Sequence, residues 1–313
     1  MPAKELELIH QIRRTAARGR ENVVTGIGDD CAVLDIPRGY QALVTTDFTL
    51  EDVHFRRAWH PADSVGHRCL ARGLSDIAAM GGIPRAAFLS LALPSALPQR
   101  WVDEFLAGFL KLARRYSVTL AGGDTAQSPS GILADIIVIG AVPTGKAILR
   151  SGARVGDIIY VSGTLGASVA ALQELRTGKK LRPTAHPRHF YPDPRIAVGQ
   201  YLREKKLASA MIDTSDGLST DLRHICDESG VGAVIEAAAL PATPCDEGLQ
   251  FALHGGEDYE LLFTAPPNQR IPRQIAGTPI TRIGEITRGR QIKLQAPDGK
   301  SHLLKPGGWE HFA

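Results

Sequence analysis

Acidic residues recur beside glycines and hydroxyls at six places in this chain: Gly28-Asp29-Asp30, Thr45-Thr46-Asp47, Ser75-Asp76, Gly122-Gly123-Asp124-Thr125, Asp213-Thr214-Ser215-Asp216-Gly217 and Gly255-Gly256-Glu257-Asp258. Singly, each has a plain structural account. Ser215 or Asp216 reads as a helix N-cap, and Asp124 after two glycines reads as a turn. Asp76 fits no such account, because small and apolar neighbours surround it in "LARGLSDIAAMGG". A carboxylate in such a helix is costly unless it is paired or metal-bound. Repetition of the same grammar points to a shared task. Carboxylate and hydroxyl oxygens without a His/Cys cluster are hard ligands, suited to Mg²⁺ rather than zinc. Several Mg²⁺ ions beside Gly-rich turns suit a nucleotide polyphosphate, and hence phosphoryl transfer.

The P-loop route to that chemistry is closed. "GAVPTGKA", residues 140–147, nearly fits the phosphate-loop pattern. Ala147 stands where the metal-ligating hydroxyl belongs, Pro143 removes an amide, and Gly152 arrives too soon for a long helix to follow.

The elements that must position the acidic groups follow from periodicity. Residues 4–17 read as an amphipathic helix with Leu8, Ile9 and Ile12 on one face. Strands are expected at 32–36, 40–48, 86–94 and 132–142, with a short one at "VTLAG". Helices are expected over 61–80, with Val65, Leu70, Leu74 and Ile77 inward, and along the seam Val102, Phe105, Phe109 and Leu112. The Gly-rich stretch 151–157 is a joint, giving domains 1–149 and 150–313. The second half reads as a strand at "IIYVSG", a Pro-rich loop at 178–194, helices near 164–176, 194–205 and 217–229, and strands at 231–236, 259–264, 280–286 and 291–295. Strands and helices mix without strict alternation, which predicts an α+β fold of two mixed domains.

Composition narrows the partners. In 313 residues, 36 basic groups against 33 acidic ones leave a net charge of +3, which argues against nucleic acid or an anionic membrane as partner. The four cysteines lack metal or disulfide spacing, and no apolar run reaches the about 20 residues of a spanning helix. The N-terminus lacks a signal-peptide core, so a cytoplasmic protein is expected.

GIGDDCAVL, TTDFTLEDVHF, LSDIAAMGG, LAGGDT, RSGARVGD, DTSDGLSTDL and HGGEDYELLFT, with a closing GGWEHF, occur in the order seen in thiamine-monophosphate kinases. The chain resembles that family over nearly its whole length. The resemblance implies the two-domain α+β sandwich fold of the aminoimidazole ribonucleotide synthetase-like superfamily, with N-terminal domains pairing into a β-barrel in a homodimer. It implies that ATP and thiamine monophosphate give ADP and thiamine diphosphate, with Mg²⁺ as cofactor. The first domain would bind ATP and Mg²⁺ and form the dimer, and the second would complete the active site. Carried over by motif position, Asp30, Thr45, Thr46, Asp47, Asp76, Asp124, Asp213 and Asp216 resemble the Mg²⁺ ligands. Tyr116, Gly123, Asp124, Arg150 and Ser215 resemble the ATP contacts. His54, Glu257 and Trp309 resemble the contacts to thiamine phosphate. Their plainer accounts are core packing for Tyr116, a surface position for His54, a turn for Glu257 and an anchored tail for Trp309. Two departures stand out: Asp52 where the family usually has glycine, and Gly73 where it usually has asparagine.

The acceptor would be a phosphate monoester, mostly dianionic at neutral pH because its second pKa is about 6. It needs no general base, and no covalent nucleophile is expected; direct in-line transfer is. The alternatives are another ATP-dependent enzyme of the superfamily or a catalytically silent nucleotide-binding module.

Overall fold

The computed structural model describes residues 5–16, 23–25, 27 and 31–310. Asp29 and Asp30 lie outside the described residues. Two compact units emerge: residues 1–77, 83–145 and 190–192 form the first, and residues 78–82, 146–189 and 193–313 the second.

The first unit is built on a four-stranded mixed sheet. Its elements are α1 (Glu5–Ala16), β1 (Val23–Thr25), β2 (Val33–Leu34), β3 (Tyr40–Leu50), α2 (Ala62–Ala79), β4 (Ile83–Pro94), α3 (Gln99–Arg115), β5 (Thr119–Ser128) and β6 (Leu133–Pro143). The sheet order is β3-β6-β4-β5, with β4 and β5 parallel and the other pairs antiparallel. Among the described residues the sheet is open, with β3 and β5 at its edges. The expected stripe Val65, Leu70, Leu74 and Ile77 of α2 is buried, as is the seam Val102, Phe105, Phe109 and Leu112 of α3. Ala134, Ile136 and Val138 of β6 and Leu89, Leu91 and Leu93 of β4 form one buried sheet face. Gly73 of α2 meets Val138 on that face, so α2 covers it.

Two expectations change here. Thr45-Thr46-Asp47 was expected to end a strand, but β3 continues to Leu50. LAGGDT was expected to leave a strand through a turn, yet β5 runs straight through it. The reason is pairing: β4 supplies backbone partners as far as Ser128, and a bulge opposite Ala87 and Phe88 absorbs the irregular step. Gly123 adopts φ 152, and a Cβ there would overlap the Leu89 carbonyl oxygen. Only glycine lets the two backbones approach this closely. The stretch 140–147 is the end of β6 and a turn, with no helix after it.

The second unit contains β7 (Ile158–Ser162), α4 (Ala167–Arg176), α5 (Pro187–Phe190), α6 (Ile196–Glu204), β8 (Ala210–Asp213), α7 (Leu218–Ser229), β9 (Gly232–Glu236), α8 (Gly248–His254), β10 (Leu261–Ala265), β11 (Gln274–Ile275), β12 (Thr278–Thr287), β13 (Ile292–Gln295) and β14 (Ser301–Leu303). Its mixed sheet has the order β14-β13-β9-β12-β7-β10-β8, with β11 paired to β12. Ile159, Val161, Ile212, Leu262 and Ile286 of the sheet pack in one core with Leu218, Leu222 and Ile225 of α7. The Pro-rich stretch expected as a loop carries the short helix α5, and α8, β11 and β14 have no counterpart in the periodicity reading. Their lengths of seven, two and three residues are too short for periodicity to register. Among the described residues, no helix is long and apolar enough to cross a membrane.

Candidate active site

In the first unit, strand alternation decides which acidic groups meet. Asp47 pairs with Ile136 and Thr45 with Val138, which puts both on the helix-covered face. Asp76, in the last turns of α2, accepts a short hydrogen bond from Thr45 Oγ1. Arg72, one turn earlier, brings its Nε to 4.0 Å from Asp47 Oδ1. Thr45, Asp47, Arg72 and Asp76 are therefore one cluster.

Thr46 and Asp124 belong to the opposite face. Thr46 donates to Asp135 Oδ1 at 2.8 Å, and Asp135 pairs with Ser90, which in turn pairs with Asp124. Asp124 is exposed, and its Oδ1 accepts from the Thr125 amide at 2.8 Å. Thr125 Oγ1 is buried without a hydrogen-bond partner among the described residues. Tyr116 caps the end of α3, with the Arg115 guanidinium 5.4 Å over its ring.

His54 sits in the turn after β3, where its Nδ1 accepts from the Leu50 amide at 3.0 Å. That bond leaves the proton on Nε2 in the neutral ring. Asp52, two residues earlier, has φ 65, a conformation that glycine adopts freely. At Gly73 a Cβ would overlap Val138 Cγ2, so Val138 fills the space that a larger side chain would need.

In the second unit, antiparallel pairing of β8 and β10 sets Asp213 opposite Leu261. The loop leaving β8 therefore lies beside the loop entering β10. The Glu257 amide donates to the Ser215 carbonyl at 2.8 Å, and the Tyr259 amide to the Thr214 carbonyl at 2.9 Å. The C-terminal segment joins them: the Trp309 amide donates to the Asp216 carbonyl at 3.0 Å, and the Gly308 amide to Thr220 Oγ1 at 3.2 Å. Asp213, Ser215, Asp216, Glu257 and Trp309 are thus gathered from three distant stretches. Arg150 is not gathered with them through its backbone, since its carbonyl accepts from Ser229 Oγ at the other end of α7.

Several groups outside the expected site residues hold this geometry. Asp221 is buried, and its Oδ2 accepts from the Gly217 amide at 3.0 Å. Burial first, then the charges of Asp213 and Asp216, push its carboxyl well above the usual range. Asp258 is buried between Glu257 and Tyr259, and burial pushes its carboxyl up to about 7 against the pull of two backbone amides. Glu260 is fully buried. Arg188 Nη1 donates to it at 2.8 Å, Arg195 Nε at 2.7 Å, and Ser162 Oγ also donates. A signal existed for Asp221, which falls on the apolar stripe of Leu218, Leu222 and Ile225 just as Asp76 falls on that of α2.

AIR synthase related protein, N-terminal domain, matches residues 28–142, and its C-terminal domain matches residues 154–297. Thiamine-monophosphate kinase of Salmonella typhimurium is 39% identical over 329 aligned positions, covering 100% of this chain and 99% of the relative. The chain belongs to the thiamine-monophosphate kinase family. It is accordingly a phosphotransferase with a phosphate group as acceptor. The crystal structure of thiamine-monophosphate kinase from Stenotrophomonas maltophilia K279a superposes with a TM-score of 0.84 at 36% identity, covering 96% of this chain and 99% of that one. AaThiL complexed with AMPPCP and TMP superposes with a TM-score of 0.79 at 34% identity, covering 100% and 99%. These kinases share the two-domain α+β plan with mixed sheets found here.

The donor set bears on whether Mg²⁺ fits. Among the described residues, no three His, Cys, Asp or Glu side chains form a closed metal-binding group. Mg²⁺ does not require one: it is usually held by one or two carboxylates, with substrate phosphates and waters completing the shell. Thr45, Asp47 and Asp76 on one face and the turn of Asp213 and Asp216 offer oxygen donors only, as Mg²⁺ prefers.

Proposed function

We propose that the chain transfers the γ-phosphoryl group of ATP directly to the phosphate of thiamine monophosphate, releasing ADP and thiamine diphosphate in the cytoplasm. The observation that carries this reading is the full-length similarity to AaThiL, a protein solved with AMPPCP and TMP together. Convergence of Asp213, Ser215, Asp216, Glu257 and Trp309 supports it from within the chain.

The roles follow from the chemistry of each group. Asp30, Thr45, Thr46, Asp47, Asp76, Asp124, Asp213 and Asp216 hold several Mg²⁺ ions. Bound Mg²⁺ offsets the repulsion between the acceptor dianion and the ATP polyphosphate and draws charge off the transferring group. Gly123 contacts ATP with Tyr116, Asp124, Arg150 and Ser215. His54, Glu257 and Trp309 contact thiamine phosphate. Trp309, 52% exposed, offers a ring face for the cationic thiazolium, and Glu257 offsets its charge. Residues 1–149 bind ATP and Mg²⁺, and residues 150–313 complete the site.

A homodimer joined through the first domain suits the outer face of β3. Val44 and Phe48 there are 66% and 54% exposed. Pairing two open sheets into a barrel would cover them, since exposed apolar faces and sheet edges favour association.

The experiment is an assay of the purified chain with ATP, Mg²⁺ and thiamine monophosphate, following thiamine diphosphate and ADP. Equal amounts of both products are expected. With γ-phosphate made chiral by oxygen isotopes, direct transfer inverts the phosphorus. Retention would indicate a phosphoenzyme, and ATP binding without product would indicate a silent module.

A further inference from the structure

Two residues with side chains flank Asp258 in left-handed backbone conformations: Glu257 at φ 62 and Tyr259 at φ 51. Such conformations disfavour side chains, so adjacent examples persist only where the surroundings hold them. Backbone bonds to Ser215 and Thr214 hold one side of this loop. The Asp258 carboxylate holds the other. Its Oδ2 accepts from the Gly166 amide at 2.6 Å and its Oδ1 from the Ser168 amide at 3.3 Å. These amides open α4, whose N-cap residue, Gly166, has no side chain with which to cap it. A carboxylate at that place satisfies orphan amides and complements the helix dipole. One side chain therefore ties the start of a ten-residue helix to a strained loop 92 residues away.

We propose that Asp258 is a positioning residue for the acceptor: by fastening the 255–260 loop to the first turn of α4, it fixes the direction in which Glu257 meets thiamine phosphate. This rests on the reading of Glu257 as a substrate contact. Asp258 is buried and does not itself touch substrate. In an Asn variant the side-chain amide nitrogen cannot accept a backbone hydrogen bond, so one of the two anchors is lost while volume is kept.

Asp258→Asn, Glu257→Gln and the double variant are assayed for KM of thiamine monophosphate, KM of ATP and kcat. Asp258→Asn is expected to raise KM for thiamine monophosphate fivefold or more, with KM for ATP and kcat within twofold. In the double variant the defect should be no larger than that of Glu257→Gln alone, because Asp258 acts through Glu257. If Glu257→Gln is defective while Asp258→Asn is normal, or if the two defects multiply, the positioning role falls and the substrate reading stands. If Glu257→Gln binds thiamine monophosphate normally, the substrate reading fails, and this role with it. Should Asp258→Asn not fold, hydrogen exchange on the unmodified chain decides. Concerted opening of 165–169 and 255–260 supports the tie, and independent exchange of the two segments overturns it.

Discussion

The amide of Trp309 donates to the carbonyl of Asp216, joining the end of the chain to the turn that opens α7. Gly308 makes this contact possible, because a Cβ there would overlap the Asp216 carbonyl oxygen. Gly308→Ala should undock the tail while leaving the core of the second unit intact. We expect KM for thiamine monophosphate to rise about tenfold, equivalent to about 1.4 kcal/mol of binding. KM for ATP should stay within twofold, and the melting temperature should change little. Unchanged affinity for thiamine monophosphate would show that Trp309 is only an anchor.

The hydrogen bond from Thr45 to Asp76 aims a helix carboxylate toward β3 and Asp47. Asp76→Asn keeps the shape but removes the charge, so kcat should fall by about 100-fold or more, the scale seen when a single charge-stabilising group is lost. Thr45→Val removes only the aiming bond and should cost about tenfold. Both variants should need more Mg²⁺ for half-maximal rate. The assignment of Asp76 to the metal would not survive an Asn variant with normal Mg²⁺ dependence.

Much of this was legible in the residues. Val65, Leu70, Leu74 and Ile77 marked α2 because an 18-residue helix repeats its stripe often enough to be read. Asp213, Ser215, Asp216, Glu257 and Trp309 were marked by type and neighbours. Their convergence was not legible, because it depends on the register of β8 against β10. The same limit hid the separation of Asp47 from Asp124. Both have the same local grammar, yet strand alternation sends them to opposite faces of one sheet. Asp258 was marked only as a neighbour of Glu257, and Glu260 not at all, because their partners, the α4 amides and two arginines, are remote in sequence.

Asp52 should be better as glycine. Its φ of 65 costs a side chain about 1–2 kcal/mol. Greater chain freedom on unfolding returns about 0.5–1 kcal/mol of that. The partner it would lose, Arg56 at 3.6 Å, is an exposed ion pair of little worth. Asp52→Gly should therefore stabilise the chain by up to about 1 kcal/mol in denaturant unfolding. A destabilised variant would mean that the Asp52 side chain does more than this pair.

Stability should fall as pH rises from about 4 to 7. The Asp258 carboxyl titrates near 3.8 when unfolded and at about 7 when folded. Between those values the folded chain binds the extra proton, so raising the pH favours unfolding. Asp221 is shifted the same way by burial and by its acidic neighbours. The cost is fully present above pH 7 and absent below about 4. Asp258→Asn cannot titrate, so its unfolding free energy should lose part of this slope. Equal slopes for the two proteins between pH 4 and 7 would refute the shift at Asp258.

Glu260 should matter most to folding. Its fully buried side chain receives Arg188 and Arg195, whose side chains are 40% and 14% exposed. Removing the carboxylate leaves the largely buried Arg195 guanidinium with the partly exposed Asp193, 3.5 Å away, in place of a buried partner, and breaking a buried pair costs up to about 3–5 kcal/mol. Glu260→Ala should approach that value in denaturant unfolding. Arg188→Ala should cost much less, because Arg195 still meets both carboxylate oxygens and Arg188 is partly solvated. The ordering is the test. If the two variants cost the same, the pair with the exposed arginine, rather than the buried one, holds the carboxylate.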